Sequence, residues 1–212
     1  MLRQFLNNRC FDSAQHDKSQ WYLSSRTVVR DLISSTKEKT MEKIDNFNLI
    51  SPFELTENLF NSLDNDWMLV TAGNEQKFNT MTASWGGFGI LWNKPVAFIF
   101  IRPQRYTFEF TEQHSHLTLS FFEERYRKAL NFCGAKSGRD YDKAKETGLT
   151  PIRTDNGIAF EESRLIIECE KLYADFLKAE HFIDKGVIQK NYPKSDFHRM
   201  YIGEIKNVYR KG

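Results

Sequence analysis

Seven stretches of this chain have the length and residue chemistry of β-strands, and only short helical patterns separate them. The strand candidates are WMLVTAG (67–73), FNTMTAS (78–84), PVAFIFIRP (95–103), HLTLSFF (116–122), GIAFEE (157–162), RLIIECEKLYADFL (164–177) and MYIGEIKNVY (200–209). The helix candidates lie at 50–66, at RYTFEFTEQ (105–113), in ERYRKALNFCGAKSG (124–138) and in the polar DYDKAKETG (140–148). In the third of these, Tyr126, Ala129, Leu130 and Cys133 fall at i, i+3, i+4 and i+7, with Gly134 or Gly138 as the stop. GGFG (86–89) reads as a breaker between strands. Strands and helices do not alternate in a βαβ rhythm, which argues against a parallel sheet. The pattern predicts a mainly β protein: an antiparallel barrel with peripheral helices at its rim.

Two strands carry more information than their length. In FNTMTAS the hydroxyls of Thr80, Thr82 and Ser84 recur at every second residue, with Met81 and Ala83 between them. Alternate side chains share one face of a strand, about 6.5–7 Å apart. One face is then a row of hydroxyls, which meets either solvent or a polar ligand. Trp85 and two glycines follow at once, an aromatic plane beside backbone that a ligand can approach closely. In HLTLSFF, Leu117, Leu119 and Phe121 alternate with Thr118 and Ser120.

The turn IRPQRYTFEF places Arg102 and Arg105 around Pro103, with Tyr106 and Thr107 next. A helix beginning here points its unpaired N–H groups and positive dipole end at the turn. Two guanidiniums, a hydroxyl and a helix N-terminus suit a phosphate, or are simply two surface arginines at a strand end. With the hydroxyl strand they suggest an elongated ligand, polar along one edge and phosphorylated at one end.

Composition narrows the classes. The chain has 212 residues, enough to bury a real core. Its net charge is only +2, too small to point to nucleic acid or an anionic membrane. No apolar run is long enough to span a bilayer. Cys10, Cys133 and Cys169 lie far apart without metal-ligand spacing, which fits a reducing cytoplasm. Cys133 sits on the apolar helix face and reads as a buried thiol. His114 and His116 lack a third ligand, so no metal site is predicted, and His181 reads as solvated. Residues 1–40 show weak periodicity and no secretory h-region. They read as an extension, disordered or not native, or as carrying a short helix at VVRDLISS; domain-like patterning starts at Met41 and runs to 212.

The segments NTMTASWGG (79–87), RPQRYT (102–107) and LSFF (119–122) resemble the flavin-reductase-like FMN-binding split barrels, flavoredoxin-type proteins included. CGAKSGRD (133–140) with Lys143, and DFH (196–198) leading to IGEI (202–205), extend the resemblance over about residues 45–210. It implies a six-stranded antiparallel split β-barrel and a homodimer with one FMN per subunit near the interface. By position, Thr80, Thr82, Ala83 and Ser84 line the ribityl and isoalloxazine edge, with Asn79 and Met81 in the same segment. Trp85 lies at the flavin rim, and Arg102, Arg105, Tyr106 and Thr107 hold the phosphate end. Ser120 and Phe121 contribute backbone from the neighbouring strand. Flavin reductases often carry Gly-Asp-His where this chain has Ser195-Asp196-Phe197-His198. His198 is therefore either a contact to nicotinamide or flavin, the one catalytic candidate, or a capping or dimer-contact residue. The implied activity is that of a cytoplasmic oxidoreductase passing hydride from NADH or NADPH to FMN, with a monooxygenase or other redox protein as partner. The alternative is a non-catalytic split barrel that stores or senses flavin or binds haem.

Overall fold

The computed structural model describes residues 44–212. The readings of residues 1–40, including the VVRDLISS helix and Cys10, lie outside the described residues.

Ten strands form: β1 Phe47–Ile50, β2 Met68–Gly73, β3 Phe78–Ala83, β4 Gly86–Leu91, β5 Lys94–Ile101, β6 His116–Phe121, β7 Pro151–Arg153, β8 Ile158–Phe160, β9 Leu165–Phe176 and β10 Arg199–Lys211. The helices are α1 Leu59–Asn61, α2 Tyr106–Gln113, α3 Arg127–Ala135, α4 Lys143–Thr147 and α5 Lys185–Asn191. The main sheet runs β3-β2-β6-β9-β10-β5-β4, with β1 also on β10 and every pairing antiparallel. Its end strands β3 and β4 are not paired with each other. The sheet is thus an open, split barrel. It counts eight strands rather than six. The 13-residue β10 outruns β5, and its last residues, from Val208, pair with β1.

Alternation along the strands fills two layers. Met68, Val70 and Ala72 of β2 point into the barrel core with Leu117, Leu119, Ile167 and Tyr201. Leu69, on the other face of β2, packs outside the sheet with Ala129, Leu130 and Cys133 of α3. Residues at the helical spacing read from the sequence are therefore the ones that seat α3 on β2. Its end is different. α3 closes at Ala135, with Lys136 extended, and Gly134 lies inside the helix. A Cβ at Gly134 would come within 3.3 Å of Thr82 Cβ, so the glycine lets α3 press on β3.

GGFG is not a breaker but the first part of β4. Gly87 pairs directly with Phe98 of β5, and a Cβ at Gly87 or Gly89 would meet only the Phe98 ring, at 3.8 Å. The aromatic ring covers the bare glycine backbone, which stabilises a strand that propensity alone disfavours. β4 returns to β5 through Trp92 and Asn93, both at positive φ (52° and 58°), the backbone of a tight two-residue hairpin. Residues 50–66 do not form one helix: a capped 3-10 turn at Pro52–Glu54 is separated from α1, which runs on as a π-turn over Ser62–Asp66.

Candidate functional site

Two of the three hydroxyls in the row are engaged within the protein, and Ser84 lines an open concavity. Thr80 is buried and its Oγ1 lies 2.9 Å from Thr71 Oγ1 on β2. The Thr82 hydroxyl donates to the Leu130 carbonyl of α3. At Thr82 this face seats a helix. Burying these hydroxyls without partners would cost about 1–3 kcal/mol each; Thr80 ties β3 to β2 and Thr82 ties it to α3.

Two concavities meet the turn Arg102–Arg105, one lined by Arg102 and the other by Arg105. The first, of about 250 Å³, is lined by Met81–Trp85, Phe100, Arg102 and His198. Trp85 is half exposed, at 49%, with its ring 5.2 Å from that of His198. His198 is buried, and its Nδ1 lies 2.8 Å from Tyr192 Oη. Burial, with Arg102 beside it, lowers the His198 pKa to about 4 against the opposing pull of Asp196. The imidazole is neutral at pH 7.

The second concavity, of about 190 Å³, is lined by Gln104–Thr107, Ala135–Gly138 and Lys143. Arg105 occupies the position just before α2 and donates from Nη1 to the Gly134 carbonyl at 2.8 Å. Lys143 is buried at the start of α4, and its Nζ donates to the carbonyls of Thr80 (2.7 Å) and Cys133 (2.8 Å). Neither cation has a carboxylate partner among the described residues. Burial lowers the Lys143 pKa to about 8; the neighbouring Cys133 opposes that shift and Arg105 adds to it. Asn79, also buried, donates from Nδ2 to Thr107 Oγ1 at 2.7 Å and so ties β3 to the first turn of α2. Gly138 lies directly over that carboxamide.

The predicted residues thus divide. Met81, Thr82, Ala83, Ser84, Trp85 and His198 surround the first concavity, and Arg105, Tyr106 and Thr107 the second. Asn79 and Thr80 lie beneath a third, contiguous concavity that shares Gly138 and Lys143 with the second. The two arginines separate. Arg102 pairs with Asp196, donates to the Asn191 carbonyl and lines the His198 side, so only Arg105 stands at the helix N-terminus. Ser120 and Phe121 come to neither concavity. Both are fully buried in β6, an interior strand whose backbone is engaged by β2 and β9. Lys143 was legible only as part of the CGAKSGRD resemblance, because its helix reads as polar. Cys133 is buried, as its helix position predicts, and burial raises its pKa to about 11.

The family model described as a flavin reductase like domain matches residues 60–212. Among solved structures, the chain is similar to the flavoredoxin of Desulfovibrio vulgaris (Miyazaki F), at 22% identity and TM-score 0.52, covering 67% of each chain. An FMN-binding domain of a flavin reductases-like enzyme from Shewanella baltica OS155 aligns at 14% identity and TM-score 0.58 over 79% of each chain. A protein with a split barrel domain from Shewanella frigidimarina NCIMB 400 aligns at 24% identity and TM-score 0.54, over 71% of this chain and 70% of its own. No curated protein matches the chain.

Proposed function

The chain belongs to the flavin reductase-like family of flavin-binding oxidoreductases, and from that premise we propose that it holds FMN and uses it to take hydride from NADH or NADPH. The observation that carries the proposal is the second concavity. Three cations without carboxylate partners among the described residues line it beside the N-terminus of α2: half-buried Arg105, buried Lys143 and exposed Lys136. Buried cations without counter-ions are costly, and a bound phosphate supplies the missing charge. The donor set fits an FMN phosphate: a guanidinium and an ammonium for charge-assisted hydrogen bonds, and the first N–H groups of a helix.

On this reading β3 and Trp85 carry the ring system toward the first concavity, past the turn that both concavities meet. The flavin, when bound, supplies the redox chemistry itself. The chain's share is to bind and orient. Arg105 and Lys143 anchor the phosphate. Trp85 flanks the ring edge, and His198, neutral at pH 7, offers a hydrogen bond rather than a proton. Electrons pass on to a partner monooxygenase or another redox protein. The test is anaerobic: NADH or NADPH added to the FMN-loaded protein is expected to bleach its yellow colour. A protein that holds FMN but stays yellow with both nucleotides is a flavin store, not a reductase.

Lys143 gives this reading a pH signature. A phosphate beside it favours its charged form, so binding takes up a proton wherever the free lysine has lost one. With a free pKa of about 8, FMN affinity is expected to fall by about three- to tenfold from pH 7 to pH 9. Titrations at the two pH values check this, and in Lys143→Met the decline should vanish. An unchanged affinity in the native chain would place the phosphate away from Lys143.

We further propose that the working unit is a homodimer formed by residues 41–212. Phe60, Ile90, Trp92 and Ile183 are all more than half exposed, apolar surface of the kind that self-association covers. Light scattering across a dilution series, on the full chain and on one starting at Met41, should give the same dimer and the same FMN content. A monomer at every concentration contradicts the dimer, and loss of flavin from the shorter chain contradicts the boundary.

A further inference from the structure

We propose that Tyr192 is a positioning residue that fixes the tautomer of His198, so that His198 presents Nε2–H as a hydrogen-bond donor to an acceptor edge in the Trp85 concavity. Tyr192 follows α5 directly and is only 5% exposed. Its ring is clamped on several sides. Phe197 stacks on it at 4.9 Å and 30°, Phe182 meets it at 5.8 Å, and the Arg102 guanidinium lies 5.2 Å from its centre. Arg102 is itself held by Asp196 and by the Asn191 carbonyl, at 2.9 Å from the latter. The hydroxyl therefore stays where it is, 2.8 Å from His198 Nδ1.

That contact holds one proton, and the two assignments differ in what they leave unpaired. If Nδ1–H donated to Tyr192, the phenolic hydrogen would need another acceptor, and Tyr192 Oη has no other hydrogen-bond partner among the described residues. A buried donor left unmet is disfavoured. If Tyr192 donates to Nδ1, both groups are satisfied and the imidazole hydrogen sits on Nε2. Nε2 makes no hydrogen bond among the described residues and is not among the buried unpartnered atoms. His198 lines the concavity, so this nitrogen is what it has to offer an occupant. The charged groups facing the ring are Arg102 from the end of β5 and Asp196 from the loop before β10, and they pull in opposite directions. Burial then keeps the ring neutral. The occupant is recognised through a carbonyl oxygen or an unprotonated ring nitrogen. Its identification with a flavin or nicotinamide edge rests on the function proposed above; the tautomer does not.

The experiment is nitrogen NMR on protein labelled at its five histidines, with His198→Gln identifying the resonance. At pH 7, without flavin, His198 is expected to show protonated Nε2 and bare Nδ1, and to stay neutral down to pH 5.5. Tyr192→Phe keeps the ring packing but removes the donor. It should give mixed tautomers and raise the His198 midpoint by about half a unit or more, with the fold kept and the melting temperature lowered by roughly 2–12 °C for the lost hydrogen bond. A native Nδ1–H tautomer, an imidazolium at pH 7, or a Phe variant with an unaltered spectrum would each overturn the proposal. Because these spectra are read without flavin, a failure to bind FMN would count against the proposed function and leave this assignment standing.

Discussion

Arg105→Ala is expected to weaken FMN binding by about 10- to 100-fold while changing riboflavin binding by less than about twofold. The first figure follows from a hydrogen bond to a charged group, worth roughly 1.5–3 kcal/mol, at about 1.4 kcal/mol per decade. Riboflavin lacks the phosphate and so lacks the partner that Arg105 loses. Arg102→Ala should behave differently, although the two residues look equivalent in the sequence. Arg102 is engaged with Asp196 and the Asn191 carbonyl beside His198, so its loss should affect both flavins alike. Parallel titrations of the two variants with the two flavins decide the matter. Equal losses of FMN affinity with unchanged riboflavin in both variants would mean that Arg102 also reaches the phosphate.

Gly138→Ala should have the largest structural effect of any single methyl added near the site. Its Cβ would lie 1.8 Å from Asn79 Oδ1 and 3.1 Å from Tyr106 Cδ1. Asn79 is buried and holds Thr107 at 2.7 Å, so it cannot yield without breaking the tie between β3 and α2. Overpacking and a lost buried hydrogen bond together cost about 2–4 kcal/mol. In a domain of this size that lowers the melting temperature by roughly 4–16 °C, and it displaces the start of the helix that faces the phosphate. The cause can be isolated. With Asn79→Ala already in place, adding Gly138→Ala should cost much less than it does in the native chain. Equal cost in both backgrounds would trace the damage to the backbone rather than to Asn79.

Most strand segments and the apolar face of α3 were legible because burial on one face imposes a period, and Ala129, Leu130 and Cys133 kept it. The glycines of β4 misled because local propensity carries no trace of Phe98, which covers Gly87 and Gly89 from the next strand. α5 and its loop left no clear signal, since Lys185–Asn191 buries no residue of its own. Yet that segment carries Tyr192 and Asp196, which hold His198 and Arg102. The hydroxyl row was legible, but the partners its threonines take inside the fold were not. Its period said that Thr80 and Thr82 share a face, but nothing local said that Thr80 would meet Thr71 and Thr82 the Leu130 carbonyl of α3. Lys143 was hidden for the opposite reason, a charged side chain in a polar helix that tertiary packing buries.

The central claim is that the concavity of Arg105 and Lys143 holds the phosphate of FMN. Equilibrium titration of the native chain with FMN and with riboflavin, at pH 7 and low salt, tests it most directly. The account predicts saturation at one FMN per subunit, with riboflavin bound at least about tenfold more weakly. Equal affinity for the two flavins would contradict it.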